Sequence, residues 1–314
     1  MPPAIVRNFI DQAYPPKARF STSDIPDLTG EVAIVTGANT GVGKVTAKEL
    51  LSHNAKVYFA ARDKTRAEQA IEELKEETGK EGIFLQLDLS DLHSVKRAVE
   101  EFQKQETQLH ILFNNAGVME PPIEQLTKQG YDLQFGTNVL GHFYLTKLLL
   151  PSLLAAKALN GKAGRVIHTS SLSATFANTL EFNTFIDGPA RRKLGKRPLY
   201  NQSKLGNVVI SNEFARRYGE QGLISAAVNP GNLKSDLQRH VGRVPKAIMT
   251  FLFLHPIEFG ALTQLWAGTT EEGSNMNGKY LIPWARHGPP PPASLNEELG
   301  KELWDWLEKQ VESV

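Results

Sequence analysis

The chain has 314 residues, of which 41% are hydrophobic and 22% are charged, and its formal net charge is +1. These values are typical of a soluble protein with one large domain or two small ones, and the near-neutral charge argues against a nucleic-acid partner. Because there is no cysteine, disulfides, thiolate metal sites and a cysteine nucleophile are excluded.

The N-terminal sequence MPPAIVRNFIDQAYPPKARF has no basic region followed by a long apolar run, so it predicts no signal peptide and a cytoplasmic protein. The two most apolar stretches, HFYLTKLLLPSLLAAKAL and AIMTFLFLHPIEFGALTQLWAG, are each interrupted by a charge or a proline. We interpret both as buried helices, with peripheral membrane contact as the alternative, and expect no transmembrane segment. The eight histidines show no pair at ligand spacing, which predicts no metal site. Residues 1–29 are expected to be an extension that packs along the surface.

Short apolar strands alternate with helices between residues 30 and 286. In chain order the strands read EVAIVTG, KVYFAAR, GIFLQLDL, HILFNNAG, GRVIHTSS, ISAAVNPG and GKYLIP. The predicted helices are Val42–His53, Lys64–Thr78, Leu92–Glu106, Glu124–Lys157 with a kink near Pro151, and Pro198–Gly219. Continuously apolar strands indicate a parallel sheet buried on both faces. The pattern predicts a single doubly wound α/β Rossmann domain, a parallel seven-stranded sheet with helices on both faces. Residues 287–314 form a proline-rich segment and a last helix.

The first strand ends in the glycine-rich sequence VTGANTGVGK, with Gly37, Gly41 and Gly43 between a strand and a helix. Such a turn lets the backbone approach a pyrophosphate and directs the first N–H groups and the dipole of the helix at it. The spacing is G-x-x-x-G-x-G rather than G-x-G-x-x-G. A simple tight turn or a methyltransferase nucleotide loop are the alternatives to dinucleotide binding.

The second strand ends with Ala61 at the position where NAD enzymes usually place an acid for the ribose 2′-hydroxyl. Arg62 follows and could bind a 2′-phosphate with two N–H donors, and Lys44 adds positive charge nearby. Asp63 is at the position of a helix N-cap. These residues favour NADP(H) over NAD(H), unless Arg62 and Lys44 are simply solvated.

A tyrosine and a lysine four residues apart, Tyr200 and Lys204, share one face of the predicted helix Pro198–Gly219. Such pairs also occur by chance on solvated helices. A free phenol has a pKa of about 10, and a nearby ammonium group should lower it. The spacing alone leaves the catalytic and the solvated interpretations open.

Seven motifs in order resemble the short-chain dehydrogenases/reductases, and within them the group related to retinol dehydrogenases and WW-domain oxidoreductases. The similarity runs from about Glu31 to Ile282. The motifs are TGANTGVG, LDLSD, NNAG, NVLG, TSS, YNQSK and NPG.

The resemblance implies a catalytic set of Asn138, Ser171, Tyr200 and Lys204. Tyr200 would be the general acid/base, with its pKa lowered by Lys204 and by the nicotinamide. Lys204 would also hold the nicotinamide ribose, Ser171 would position the substrate oxygen, and Asn138 would support a water chain. Ser170 adjoins Ser171, and the family pattern favours the second serine. Asn138 could instead be a kink or a satisfied core amide.

The expected cofactor is NADP(H), bound by residues of the glycine loop, its cations and the later motifs. Those residues are Gly37, Asn39, Thr40, Gly41, Val42, Gly43, Lys44, Arg62, Asp88, Leu89, Asn115, Ala116, Gly117, Tyr200, Lys204, Pro230, Gly231, Leu233 and Ser235.

The substrate region implied by the resemblance follows Pro230, with a lid at about residues 232–256. Few charges are placed to meet an acidic substrate, which predicts a small hydrophobic carbonyl or alcohol. A longer segment than usual lies between Ser171 and Tyr200, and its basic run RRKLGKR is expected to be solvated. The apolar residues expected at the lid and mouth are Val244, Ile248, Met249, Leu252, Phe253, Met119, Pro121 and Leu172.

Other functions remain open at this point. A cofactor-binding sensor or scaffold would carry a broken catalytic set, whereas all four residues are present here. A methyltransferase would lack the Tyr/Lys pair, and an epimerase or dehydratase would usually have a larger substrate domain. The protein is expected to be a monomer, or a homodimer through helices Glu124–Lys157 and Pro198–Gly219 unless the C-terminal extension covers that face.

Overall fold

A computed structural model describes residues 4–234 and 255–314 of the chain. A central sheet carries eight strands in the order β3-β2-β1-β4-β5-β6-β7-β8. Strands β1 to β7 are parallel to one another, and β8 pairs antiparallel with β7. The strands are β1 Val32–Thr36, β2 Lys56–Ala61, β3 Ile83–Gln86, β4 Ile111–Asn114, β5 Gly164–Thr169, β6 Leu223–Val228, β7 Tyr280–Ile282 and β8 Arg286–His287.

The doubly wound α/β class is confirmed, while the strand count differs by one from the prediction. β1 and β6 are buried at every position, as continuously apolar strands between two helical layers require. The extra strand β8 has only two residues, Arg286 and His287. A strand of two polar residues leaves no periodic pattern in the sequence. It forms because the chain reverses after β7 and returns alongside it.

The helices match the alternation, with two additions. They are α1 Ala4–Ala13, α2 Gly41–Ser52, α3 Lys64–Thr78, α4 Leu92–Gln105, α5 Leu133–Phe135 continuing through Gly136–Gly141 and His142–Asn160, α6 Pro189–Leu194, α7 Lys196–Tyr218, α8 Glu258–Thr269 and α9 Glu297–Val311. α1 lies in the N-terminal extension and α6 in the long segment before Tyr200, and the sequence analysis predicted neither helix.

The long helix α5 begins nine residues later than predicted. Asp132 caps it by accepting hydrogen bonds from the backbone N–H groups of Gln134 and Phe135. The preceding residues turn instead, with Gly130 at φ 85°. Pro151 lies inside the helix, and a π-helical turn occupies Gly136–Gly141.

The same helix is long and apolar enough, over Leu133–Leu159, to cross a membrane by composition alone. However, 67% of its most apolar window is buried inside the protein. It is therefore accounted for as a core helix of the α/β fold.

The C-terminal helix α9 covers α5 and α7 on one face of the sheet. The Trp304 ring packs edge-on against Phe143 and Phe214, each with ring centroids 5.0 Å apart. The Arg217 guanidinium lies 4.4 Å from the centre of the same ring, and Lys147 of α5 pairs with Glu308. The face through which the sequence analysis considered dimerisation is thus occupied by the chain itself.

Candidate active site

A cavity of about 660 Å³ opens where the carboxyl ends of the parallel strands meet. This is the edge at which doubly wound folds bind their ligands. Its wall contains most of the predicted site residues: Gly37, Asn39, Thr40, Gly41, Val42, Arg62, Asp88, Leu89, Asn115, Ala116, Gly117, Ser171, Tyr200, Lys204, Pro230, Gly231 and Leu233. Gly43, Lys44 and Asn138 do not line it, and Ser235 lies outside the described residues.

The glycine loop is packed against the NNAG turn. Gly37 and Gly41 have φ values of 70° and 61°, which L-residues with side chains rarely adopt. A Cβ at Gly43 would collide with the Gly37 carbonyl oxygen and the Asn115 amide. Asn115 Nδ2 donates to the Thr36 carbonyl oxygen at 2.9 Å. Gly43 therefore allows the close packing of the loop against Asn115 but does not itself line the cavity.

The cavity wall suits a dinucleotide. The glycine loop leads directly into α2, and at Gly37 and Gly41 it carries no side chain, which lets a pyrophosphate approach the backbone there. Thr137, buried in the π-helical turn of α5, has a hydroxyl oxygen without a hydrogen-bond partner among the described residues, and it lines the cavity. A ligand with hydroxyl or amide groups can satisfy such an atom. Thr137 was missed because it stands just before the NVLG motif, at a position that indicates no chemistry.

Two arginines lie at the end of the cavity beside β2. Arg62 is exposed and lines the wall, as predicted, and so does Arg66 in the first turn of α3. Asp63 caps α3 by accepting a hydrogen bond from the Arg66 backbone N–H at 3.1 Å. Lys44 was expected to add its charge here; its ammonium pairs with Glu73 on α3 and does not line the cavity.

Tyr200 and Lys204 lie one turn apart on α7, both buried, and both reach the cavity. Lys204 Nζ is 5.8 Å from the centre of the Tyr200 ring and donates to the Thr169 carbonyl oxygen at 2.9 Å. This contact with the end of β5 holds the ammonium beneath the tyrosine. The one-turn spacing therefore marks a buried pair that faces the cavity.

Ser171 stands directly after β5 and is hydrogen-bonded to Tyr200 through their hydroxyls. Its oxygen accepts a hydrogen bond from the Ser173 backbone N–H at 3.1 Å. The neighbouring Ser170 hydroxyl instead donates to the Lys204 carbonyl oxygen at 2.7 Å. The two adjacent serines thus point to different partners, and Ser171 faces the phenol.

The pKa values differ from the expectation. Burial raises the pKa of Tyr200 above its ordinary value, Glu120 adds to the rise, and the hydrogen bond from Ser171 offsets only part of it. Burial also lowers the pKa of Lys204 to about 8. The expectation was a pKa lowered by Lys204 and the nicotinamide, whereas desolvation of the phenolate raises the Tyr200 pKa.

Asn138 lies in the π-helical turn of α5, behind the wall. Its side chain is fully used: Oδ1 accepts from the Val118 N–H at 2.9 Å, and Nδ2 donates to the Val118 carbonyl oxygen and to Ser203 Oγ, each at 3.0 Å. The structure therefore places Asn138 as a support of the segment after the NNAG turn.

His142 connects Asn138 to the glycine loop, a link that the sequence analysis missed. His142 Nδ1 lies 3.0 Å from the Asn138 carbonyl oxygen and therefore carries the ring proton. Nε2 lies 2.9 Å from Thr36 Oγ1, which in turn accepts hydrogen bonds from the N–H groups of Asn115 and Ala116. The pair His142 and Thr36 shows no sequence pattern because it bridges residues more than 100 positions apart.

The opposite end of the cavity, beyond Tyr200, is termed the substrate end and is lined by Phe9, Met119, Glu120, Leu172, Ser173, Phe176 and Arg197. Met119 and Leu172 were predicted there, whereas Pro121 does not line the wall. Glu120 Oε1 and Arg197 Nε are 3.8 Å apart. Phe9 and Phe176 were missed, since one lies in the N-terminal extension and the other in an irregular segment. The predicted lid residues Val244, Ile248, Met249, Leu252 and Phe253 lie outside the described residues.

The basic run before Tyr200 is only partly solvated, contrary to the expectation. Arg191 is buried and donates to Asp132 at 2.9 Å, to Asp187 at 3.2 Å and to the Gln125 carbonyl oxygen at 3.1 Å. Burial raises the pKa of Asp132. This ion pair joins α6 to the start of α5 and fixes the segment that forms the substrate end.

Comparison with known proteins gives a consistent result. The family model described as short chain dehydrogenase matches residues 31–182. A curated short-chain dehydrogenase/reductase of Armillaria gallica is 58% identical over 303 residues, 96% of this chain and 97% of the relative. One of Phomopsis amygdali is 38% identical over 98% of this chain and 97% of its own length.

Solved structures agree with the fold. An uncharacterised protein of Mycobacterium paratuberculosis has a TM-score of 0.73 at 28% identity, with 93% of this chain and 97% of that chain covered. The NADP complex of Pseudomonas aeruginosa RhlG has a TM-score of 0.66 at 24% identity over 85% of this chain and 98% of its own.

Proposed function

The chain belongs to the short-chain dehydrogenase/reductase family, and on that premise we propose that it is an NADP(H)-dependent oxidoreductase acting on a hydrophobic carbonyl or alcohol. The observation that carries the proposal is the meeting of Ser171, Tyr200 and Lys204 in one cavity with the glycine loop. The cofactor, when bound, supplies or accepts the hydride.

The residues of this chain supply the proton and the orientation. Burial keeps Tyr200 protonated at neutral pH, so its phenol can donate a proton to a substrate oxygen. Ser171, hydrogen-bonded to that phenol, can hold the same oxygen in place. Lys204, with a pKa of about 8, still carries its charge at neutral pH and stabilises the phenolate that remains. This protonation state favours carbonyl reduction.

A preference for NADP(H) over NAD(H) is part of the proposal. It is supported by Arg62 and Arg66 on the cavity wall beside β2, and by Ala61 where an acidic residue would otherwise meet a ribose hydroxyl. Two guanidinium groups can bind a 2′-phosphate through several charge-assisted hydrogen bonds. The relative RhlG was solved with NADP, which agrees with this assignment.

The test is the substitution Tyr200→Phe, assayed with a panel of apolar ketones and alcohols by the absorbance of NADPH. Removing only the hydroxyl should lower kcat by about 10²–10⁴-fold, the usual contribution of a general acid. The NADPH dissociation constant should stay nearly unchanged, because the ring and Lys204 remain.

Tyr144→Phe is the matched control, since it removes another buried phenol hydroxyl whose partner is the Val314 carbonyl oxygen, far from the cavity. It should keep full turnover. Retention of most activity by Tyr200→Phe on a good substrate would refute the acid role. Cofactor binding without turnover by the unmodified protein on the whole panel would favour a non-catalytic sensor or scaffold.

A further inference from the structure

The N-terminal helix α1 is fastened across the carboxyl edge of the sheet. Gln12 Oε1 accepts a hydrogen bond from Asn229 Nδ2 at 2.8 Å. Arg286 pairs with the Asp11 carboxylate at 3.1 Å and donates to the Asp11 carbonyl oxygen at 3.1 Å. These contacts fix α1 at the ends of β6 and β8, so the helix is part of the body of the protein.

The fastening brings Phe9 into the wall of the cavity at the substrate end. There it meets Phe176, with ring centroids 6.1 Å apart and an angle of 57° between the rings. This is the separation of an interacting aromatic pair. Phe176 ends the short helical turn Leu172–Phe176 that begins directly after Ser171. The pair therefore lies on the segment that also carries the residue facing Tyr200.

Both rings remain partly open to solvent, Phe9 with 37% and Phe176 with 57% of its surface exposed. Exposed aromatic surface at the mouth of a cavity gains free energy when an apolar ligand covers it. Rings of this kind favour flat, polarisable partners, which they can contact face-on or edge-on. The pair is thus suited to a planar hydrocarbon group.

The charges at the same end favour a neutral ligand. Glu120 and Arg197 both line the substrate end and face each other at 3.8 Å. Each therefore has an opposite charge beside it, and neither presents an isolated charge to a substrate. Arg197 lies one helical turn before Tyr200 on α7, so the paired charges border the reacting group.

We propose that α1 is a wall of the substrate chamber and that Phe9 and Phe176 select neutral substrates with a planar aromatic or polyene group beside the reacting carbonyl. The proposal rests on the function proposed above, which places the carbonyl at Ser171 and Tyr200. It assigns to the N-terminal extension a role in substrate specificity.

The experiment measures binding of 2-acetonaphthalene to the NADPH-bound protein by titration calorimetry, and then its reduction. Phe9→Ala and Phe176→Ala should each weaken binding about tenfold, as loss of an aromatic contact does. KM should rise by a similar factor while kcat changes little. Phe9→Trp, which keeps an aromatic ring, should bind the naphthyl ketone more tightly than Phe9→Ala. For 2-butanone, which has no ring, the alanine substitutions should cause a much smaller loss of affinity.

Ile10→Ala is the matched control, because Ile10 is half exposed on the same helix and does not line the cavity. It should bind the naphthyl ketone like the unmodified protein. If the two rings act as one surface, the fold-loss of affinity in the double alanine variant should be smaller than the product of the fold-losses in the two single variants.

The outcomes separate the two proposals. Ring-dependent binding without reduction would refute the proposed activity and leave the aromatic chamber standing. Reduction that needs Tyr200, with binding indifferent to Phe9 and Phe176, would overturn the chamber. No binding of the naphthyl ketone to the NADPH complex, or equal losses in Ile10→Ala and Phe9→Ala, would overturn it as well.

Discussion

Arg62 and Arg66 form a cationic site at the end of the cavity farthest from the substrate end. Arg62 follows the last residue of β2, and Arg66 lies four residues further on, in the first turn of α3. Both side chains are exposed and line the cavity. Lys44 is bound to Glu73, and Arg66 Nε lies 3.6 Å from Asp63 Oδ2; the two arginines are the cations that line the cavity at this end.

The substitution Arg62→Asp should reverse the cofactor preference. It removes a charge-assisted contact with a 2′-phosphate and provides a carboxylate for the ribose hydroxyl of NADH. The dissociation constant of NADPH should rise by about ten- to a hundredfold, the value of a hydrogen bond to a charged group. Lys44→Ala is the control and should leave the NADPH/NADH ratio unchanged. Equal ratios in Arg62→Asp and the unmodified protein would exclude the 2′-phosphate contact.

The residues that local spacing predicted are the ones whose neighbours lie close in sequence. The Tyr200–Lys204 pair and the N-cap at Asp63 belong to this group. The direction of the Tyr200 pKa shift could not be predicted, because it depends on how many atoms the fold places around the phenol. The pairing of Lys44 with Glu73 could not be predicted for a similar reason, since the two residues lie 29 positions apart.

At the scale of whole elements, helices with local end signals were predicted best. α3 matches its predicted bounds because Asp63 caps its start and Gly79, at φ 70°, ends it. The start of α5 was predicted wrongly although Asp132 gives it a local N-cap, and tertiary contacts shape the turn that follows. Side chains at Gly136 and Gly141 would collide with Thr127 and with the Leu89 carbonyl oxygen, so the fold around the π-helical turn requires glycine there.

The helix α9 should contribute strongly to stability through Trp304. That ring is buried against Phe143 and Phe214 and beneath Arg217. Trp304→Ala should lower the free energy of unfolding by about 3–5 kcal/mol, as a large cavity in a core does. Urea unfolding followed by circular dichroism measures it. Leu295→Ala, at a residue 66% exposed, is the control; a similar small loss in both variants would show that α9 contributes little.

At the scale of the whole molecule, burial lowers the pKa of His110, His142 and His168, and stability therefore depends on pH. Burial lowers the pKa of His142 to about 4 and that of His168 to about 3. Unfolding returns both rings to an ordinary pKa of about 6.5. The unfolded chain therefore binds more protons below pH 6.5, and the stability that neutral rings provide is lost as the pH falls toward 4.

The pH dependence can be assigned with His168→Phe, which keeps a ring against Phe214 but cannot bind a proton. As the pH falls from 6.5 to 4, the free energy of unfolding of the unmodified protein should decrease by up to about 1.4 kcal/mol more per pH unit than that of this variant. This is the linkage slope for one proton. Urea unfolding at several pH values gives both slopes. His93→Gln, at an exposed residue of α4, should keep the original slope. Parallel slopes for His168→Phe and the unmodified protein would mean that His168 is already charged in the fold.

The alternation of apolar strands and helices was enough to predict the class of the fold, because burial on both faces leaves a continuous pattern in sequence. The pieces that escaped prediction are short, or are attached to this frame by side chains that lie far apart in sequence. β8 is two residues long, and α1 is held by the side chains of Asp11 and Gln12. Such contacts join distant positions and leave no periodicity.

Asn229 belongs to two partners at once: its Nδ2 binds Gln12 of α1, and its Oδ1 accepts the N–H of Gly231 at 3.0 Å in the turn beside the cavity. One amide thus ties the helix that carries Phe9 to the turn whose residues Pro230 and Gly231 are expected to bind the cofactor. If the bound cofactor fixes this amide and so raises the affinity for an aromatic ligand, thermodynamic linkage requires the ligand to raise the affinity for the cofactor by the same factor. Cooperativity of this kind would arise within a single chain.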